Sequence, residues 1–254
     1  KAFGSLAFSL IFVYYYKFGD SFEYYKGAVM LANTFLESPD HYFELLFHES
    51  STNFPGHLRQ YTDPLVHSDS PEEWVLIKLA SPLALLSFNS FITINLFMGL
   101  ISFWGAWKLY KVFNSILNKK PQWSFFAAFF VPSMVFWGSG LMKDTVTLAG
   151  INYLIYVLYF GLTKKQMKPS FYFGSILWFV LIFMLKSYII LAFTPTIILT
   201  IYFLYKSKIK SDFIKLISTP IMILTTLAIS FIALQTLSET SQKYDAKKLE
   251  GQVK

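Results

Sequence analysis

Residues 136–145 read FWGSGLMKDT, a lysine and an aspartate side by side within about forty otherwise apolar residues, 122–162. A helix crosses a hydrocarbon core of about 30 Å in about 20 residues, so this run is too long for one crossing. At mid-depth the two ionisable groups would each cost about 2.5–3.5 kcal/mol on insertion scales. Adjacent helix positions do not face each other, so the pair cannot offset that cost internally. It largely disappears if Gly138-Ser139-Gly140 forms a turn and Lys143-Asp144 sits at the tip of a hairpin, among headgroups and water.

Composition agrees with a membrane setting. The 254 residues are 54% hydrophobic and 15% charged, against about 25% charged in a soluble domain. The apolar blocks do not alternate as barrel strands would, so they read as helices. The net charge of +7 comes mostly from lysines that punctuate those blocks. That pattern sets topology and makes no nucleic-acid-binding stripe. There is no cysteine, so neither a disulfide nor a thiolate metal site is expected. The chain begins at Lys1 without methionine and ends in a polar stretch, and it reads as the ordered part of a longer protein.

The lysines orient the blocks. Three clusters (Lys108, Lys111, Lys119, Lys120; Lys164, Lys165, Lys168; Lys206, Lys208, Lys210, Lys215) are cytoplasmic by the positive-inside rule. Residues 122–162 then start and finish inside, with the Lys143-Asp144 tip outside. Residues 170–205 do the same around their one polar break, Lys186-Ser187. Ala2 to about Tyr16 is a first span or signal-anchor, because no small-x-small cleavage site follows it. The expectation is an all-α, polytopic transmembrane helical bundle of about seven spans, a single domain over 1–237. Its parts are a first span at 1–16, a large extracytoplasmic first loop with surface helices at 17–87, and the remaining spans at 88–237. A polar extracytoplasmic tail, 238–254, continues beyond the chain. The setting is a bacterial-type inner (cytoplasmic) membrane with the long first loop outside.

That loop holds all four histidines, Arg59 and ten acids, among them Asp20, Glu23, Glu72 and Glu73. Residues 20–38 have helical spacing, with Tyr24, Ala28, Leu31 and Phe35 along a stripe suited to the membrane surface. A second helix is expected from Pro71, broken near Pro82. The polar, turn-rich stretch between reads as a loop without a core of its own. Asp20 and Glu23 are spaced as a capping box. The histidine spacings of seven, nine and ten match no compact ligand motif, so no metal site is assigned.

GDSFEYY (19–25) just past the first span, and PSMVFWGSGLMKD (132–144) at a hairpin tip, carry a resemblance. The second resembles the P-S-x-x-F-W-x-S-x-x-x-K-[DE] stretch of membrane glycosyltransferases and polysaccharide polymerases. With the layout of one span, a large outer loop and further hairpins, the chain is similar to the GT-C superfamily. It departs from that pattern in having no second acidic motif beyond Asp144 and in carrying lysine, not arginine, in LKSY (185–188). The resemblance implies an envelope glycosyltransferase or polymerase that uses a polyprenyl-phosphate-linked sugar donor and a saccharide acceptor. Such a reaction needs a base for the acceptor hydroxyl and cations for the departing phosphate. Asp20 would be the base. Lys143, Lys186 and Arg59 would bind phosphate, Arg59 in bidentate fashion, with Asp144 and Glu23 beside them. Trp137 and Tyr188 would stack on sugar rings, and the prenyl tail would lie between spans. No cofactor is assigned, a divalent cation being the one candidate.

Other readings use the same residues. Lys143 and Asp144 can simply end one helix and begin the next, and Lys186 can snorkel to the interface. A non-enzymatic subunit scaffolding an envelope complex through its loop and tail is the alternative, with other complex subunits and membrane lipids as partners. A transporter or lipid flippase would place ionisable groups at mid-membrane on paired broken helices, whereas here the charges gather at the faces.

Overall fold

A computed structural model describes residues 1–50, 54–117, 120–164, 169–206 and 211–240, and it contains no strand among them. Lys119, Lys165, Lys168, Lys208 and Lys210 of the basic clusters, and residues 241–254 of the expected tail, lie outside the described residues. The helices are α1 (Ala2–Ile11, continued by a π turn, Phe12–Tyr16), α2 (Asp20–Glu37), α3 (Pro39–Phe47), α4 (Gly56–Thr62) and α5 (Pro71–Leu86). They are followed by α6 (Phe91–Ile116), α7 (Pro121–Phe129), α8 (Pro132–Phe136, with a 3-10 turn at Trp137–Ser139), α9 (Lys143–Leu158, with a π turn at Tyr159–Thr163), α10 (Pro169–Lys206) and α11 (Asp212–Thr240). Proline opens α3, α5, α7, α8 and α10, where its missing N–H costs nothing. Three helices are long and apolar enough to cross a membrane: α6, α9 with its π turn, and α10. Ala2–Tyr16 and Leu216–Phe231 are apolar but shorter.

α6 is the hub. It runs parallel to α9, because Asn95 meets Leu141, Gly105 meets Ala149 and Ser115 meets Tyr159. A Cβ on Gly105 would lie 2.6 Å from the Ala149 Cα, so the small residue permits the close backbone approach on which helix association in lipid depends. α1 runs the opposite way, with Ser9 against Asn95 and Phe12 clustered with Phe91. α7 also returns along α6, its Phe129 ring reaching Phe103 and Tyr110. That return limb is not one continuous span, because Pro132 forces Val131 out of the helical region (φ −72°, ψ 114°). The carbonyls of Met134, near the end of α8, and Gly138, in the turn after it, accept from the Lys1 ammonium, which meets the demand that broken backbone among packed helices be satisfied internally.

α10 folds back on itself. Lys186 is non-helical (φ −154°, ψ 75°), and Ser175 and Ile197 line one cavity of about 340 Å³. In a straight helix those two residues would stand about 33 Å apart at 1.5 Å per residue. The second hairpin therefore turns at Lys186. Both tips, the C-terminal end of α1 and the N-termini of α6 and α9 share one end of the bundle. Lys108, Lys111, Lys164 and Lys206 lie at the other, where Ser115 reaches Tyr159 and Tyr153 reaches Ser170.

The stretch 17–87 differs from expectation in three ways. The α2 stripe of Tyr24, Ala28 and Leu31 is buried against α5, with Gly27 abutting Ile77, and does not face a membrane. The region expected to be a coreless loop contributes Phe54 and Leu58 to a core with Trp74, Leu45 and Tyr42, and forms α4. That same core extends to Ile94, Met98, Leu141, Val146 and Leu185 of the bundle. Finally, α5 passes through Pro82 to Leu86 without breaking. The Lys78 carbonyl that Pro82 leaves unpaired accepts from the Ser81 hydroxyl at 3.0 Å. Two consecutive left-handed residues, Phe88 and Asn89, then turn the chain into α6, and Asn89 is tied to α2 through Asn33 and Tyr25.

Candidate functional site

The hairpin tip is built by short-range bonds and one long-range clamp. The Thr145 hydroxyl, buried at the start of α9, donates to the Gly140 carbonyl at 2.7 Å. Gly140 has no room for a side chain, since a Cβ there would enter the Phe8 ring. The Leu141 N–H donates to Asn95 Oδ1 at 2.6 Å, while Asn95 Nδ2 donates to Ser9 Oγ at 2.9 Å. Asn95 is fully buried. One side chain from α6 thus fixes both the tip and α1.

The tip places Lys143 and Asp144 in separate ion pairs. Lys143 Nζ lies 3.3 Å from Glu72 Oε2 and 3.3 Å from Glu73 Oε1, both in the first turn of α5. Lys186, at the turn of α10, lies 2.6 Å from Asp144 Oδ1. The adjacent lysine and aspartate do not pair with each other, as helix geometry requires. Lys186 is thus held by a carboxylate at the turn of α10. Behind Lys143, His67 Nδ1 lies 3.5 Å from Glu73 Oε2, and the His67 ring packs 5.3 Å from that of Tyr24. The Glu73 side chain is 9% exposed and that of Lys143 14%, so these charges meet away from bulk water. Burial first, then the carboxylates of Asp20, Glu73, Glu72 and Asp144, push the Tyr24 phenol above its ordinary range. The same four carboxylates therefore act on one phenol. Three helix N-termini, those of α2, α5 and α9, carry them in their first turns.

Asp20 is exposed at the first position of α2. The cap is Gly19 (φ 119°), with no side-chain capping bond, so Asp20 and Glu23 do not form a capping box. Glu23 instead pairs with Lys26 at 2.7 Å. Arg59 stands on α4, exposed, with its Nε donating to the Phe54 carbonyl at 3.1 Å; the contacts of that helix do not bring it to the lysines. Trp137 lines a cavity of about 410 Å³ with Asp144, Thr147, Leu148, Ile151 and Ile189. Tyr188 lies beside Lys186, whose ammonium is 6.0 Å from the ring. Among the described residues no group of three or more histidines and acids is placed to hold a metal ion.

Sequence reasoning missed Glu72, Glu73, His67, Tyr24 and Asn95 as parts of this site. The available signals were the paired acids after Pro71 and a lone Asn in an apolar helix, since a polar side chain at such depth is costly unless it is bonded. No protein-family model, curated protein or solved structure matches this chain.

Proposed function

We propose that this chain is a GT-C-like glycosyltransferase or polymerase of the cell envelope, using a polyprenyl-phosphate-linked donor at the end of the bundle that carries Asp20, Lys143 and Lys186. In this reading the bundle makes about seven crossings of an inner membrane, with both hairpin tips and residues 17–87 on the outer side. One observation carries it. The cavity beside Trp137 uses Asp144, Thr147, Leu148 and Ile151 of α9, and the 340 Å³ cavity beyond it uses Leu154, Val157 and Leu158. These positions recur every three or four residues, so the two cavities follow one stripe of the helix for about 21 Å. The returning limb of α10 walls both, through Ile189, Ile190 and Phe193. Two largely apolar cavities along one face of α9, the outer one lined by Asp144, which pairs with Lys186, suit a molecule with an anionic head and a long hydrocarbon tail.

In the reaction, the donor phosphate replaces the Asp144 carboxylate on Lys186. The acceptor hydroxyl oxygen bonds to the sugar's anomeric carbon, the bond from that carbon to the phosphate oxygen breaks with its electrons on the phosphate, and Asp20 takes the hydroxyl proton. Proteoliposomes supplied with labelled polyprenyl-phosphate sugar test this. Asp20→Asn should lower turnover by roughly 100- to 10,000-fold, the usual worth of a general base, while the polyprenyl lipid still co-purifies. Absence of that lipid from the purified protein, together with absence of turnover, overturns the reading. The scaffolding alternative has one observation in its favour: Lys143 and Lys186 already have carboxylate partners and need no ligand. It expects Asp20→Asn to leave lipid content and assembly unchanged.

A further inference from the structure

Glu73 is approached from two sides. Lys143 of α9 lies 3.3 Å from its Oε1, and His67, in the loop that precedes α5, lies 3.5 Å from its Oε2. The carboxylate is nearly buried, and the His67 side chain is only 17% exposed. The His67 Nε2 is buried as well, without a hydrogen-bond partner among the described residues. Tyr24 from α2 packs against the imidazole, the two rings tilted 40° to each other. Glu72 on α5, Asp20 on α2 and Asp144 on α9 act on the neighbouring Tyr24 phenol, and Asp69 stands two residues along the histidine's own loop.

We propose that His67 is a proton-operated release for Lys143. Neutral imidazole brings no charge to Glu73, so Lys143 meets that carboxylate without a competing charge from the ring. Imidazolium brings a full positive charge to the same carboxylate, and both ring nitrogens become donors. Lys143 then shares its partner with a second cation that also repels it, and its ammonium turns toward Glu72 and the open side. Histidine is the side chain whose charge ordinarily changes between pH 5 and 8, and the Tyr24 phenol, pushed above its ordinary range, stays protonated throughout. That an anionic lipid headgroup meets this freed ammonium rests on the glycosyltransferase reading; the release does not.

The test therefore reads Lys143 directly. The full chain in lipid nanodiscs is treated briefly with an amine-acylating reagent between pH 8 and pH 5.5. Modification of Lys143 is measured by mass spectrometry as a ratio to exposed Lys17. The ratio should rise as pH falls, by roughly fivefold, which is what a pairwise coupling of about 1 kcal/mol produces. It should stay flat in His67→Gln and still rise in His57→Gln. A flat ratio in the wild type, or a rise that survives His67→Gln, overturns the proposal. Should His67→Gln fail to fold, the wild type decides: one histidine ¹³Cε1 resonance must titrate with the midpoint of the Lys143 ratio, and a mismatch overturns the proposal equally. Failure to bind a polyprenyl lipid would leave these results standing and count only against the glycosyltransferase reading.

Discussion

Replacing Asn95 by leucine, which has the same branching and side-chain heavy-atom count but is bulkier, tests how the hairpin tip is held. The change removes two bonds, the Leu141 N–H to Asn95 Oδ1 at 2.6 Å and Asn95 Nδ2 to Ser9 Oγ at 2.9 Å. They are not equal. Ser9 still donates to the Ser5 carbonyl at 2.8 Å, so it loses one incoming donor, and side-chain bonds between membrane helices average about 0.6 kcal/mol. The Leu141 N–H is buried and left with no acceptor, which costs about 1–3 kcal/mol. Asn95→Leu should therefore destabilise by about 2–3 kcal/mol, while Ser9→Ala leaves the buried Asn95 Nδ2 without its acceptor and by the same reasoning should cost about 1–3 kcal/mol. Equilibrium unfolding in mixed detergent micelles measures both, and the double variant should cost little more than Asn95→Leu alone. A loss below about 0.5 kcal/mol for Asn95→Leu, the range of ordinary surface changes, would refute the argument that the clamp holds the tip.

A coupling between Ser81 and Pro82 should also be measurable. Ser81→Ala orphans the Lys78 carbonyl and also removes the Ser81 partner of the buried Tyr42 hydroxyl, costing about 1–3 kcal/mol; in a Pro82→Ala background the restored N–H at position 82 takes that carbonyl, so the penalty should shrink to the Tyr42 share. Topology can be read with single cysteines: those replacing Tyr15, Phe88 and Tyr188, all exposed, should react with an impermeant thiol reagent from one side of a sealed vesicle. A cysteine replacing Tyr172, exposed at the other end, should react only from the opposite side. Mixed sidedness among the first three would undo the shared-end arrangement.

The hairpin turns were legible because charge inside a long apolar run has few low-cost places to go, and Lys143, Asp144 and Lys186 all mark turns. What they touch was not legible. Glu72 and Lys143 are 71 residues apart, and no local pattern joins a surface-helix N-terminus to a hairpin tip. The stretch around Phe54 and Leu58 looked coreless because its apolar residues are sparse and aperiodic; they are buried by docking onto Trp74, a tertiary effect. Proline at 82 promised a break on local grounds, and one hydroxyl a residue earlier removed the reason for it. Asp20 was placed correctly at a helix start, yet the capping position belongs to Gly19 because the chain arrives there with φ 119°.

The meeting of three helix N-termini at the tip bears on how the site looks to an approaching ion. Side chains alone give it a surplus of acid, with Asp20, Glu72, Glu73 and Asp144 set against Lys143 and Lys186. An N-terminus carries roughly half a positive charge from its unpaired N–H groups, so α2, α5 and α9 together return on the order of one and a half. Seen from outside, the site is close to electrically neutral. Most of that correction comes from peptide dipoles, which do not titrate and which single side-chain substitutions leave in place. A phosphate would meet its strongest repulsion only where a helix start had been unwound.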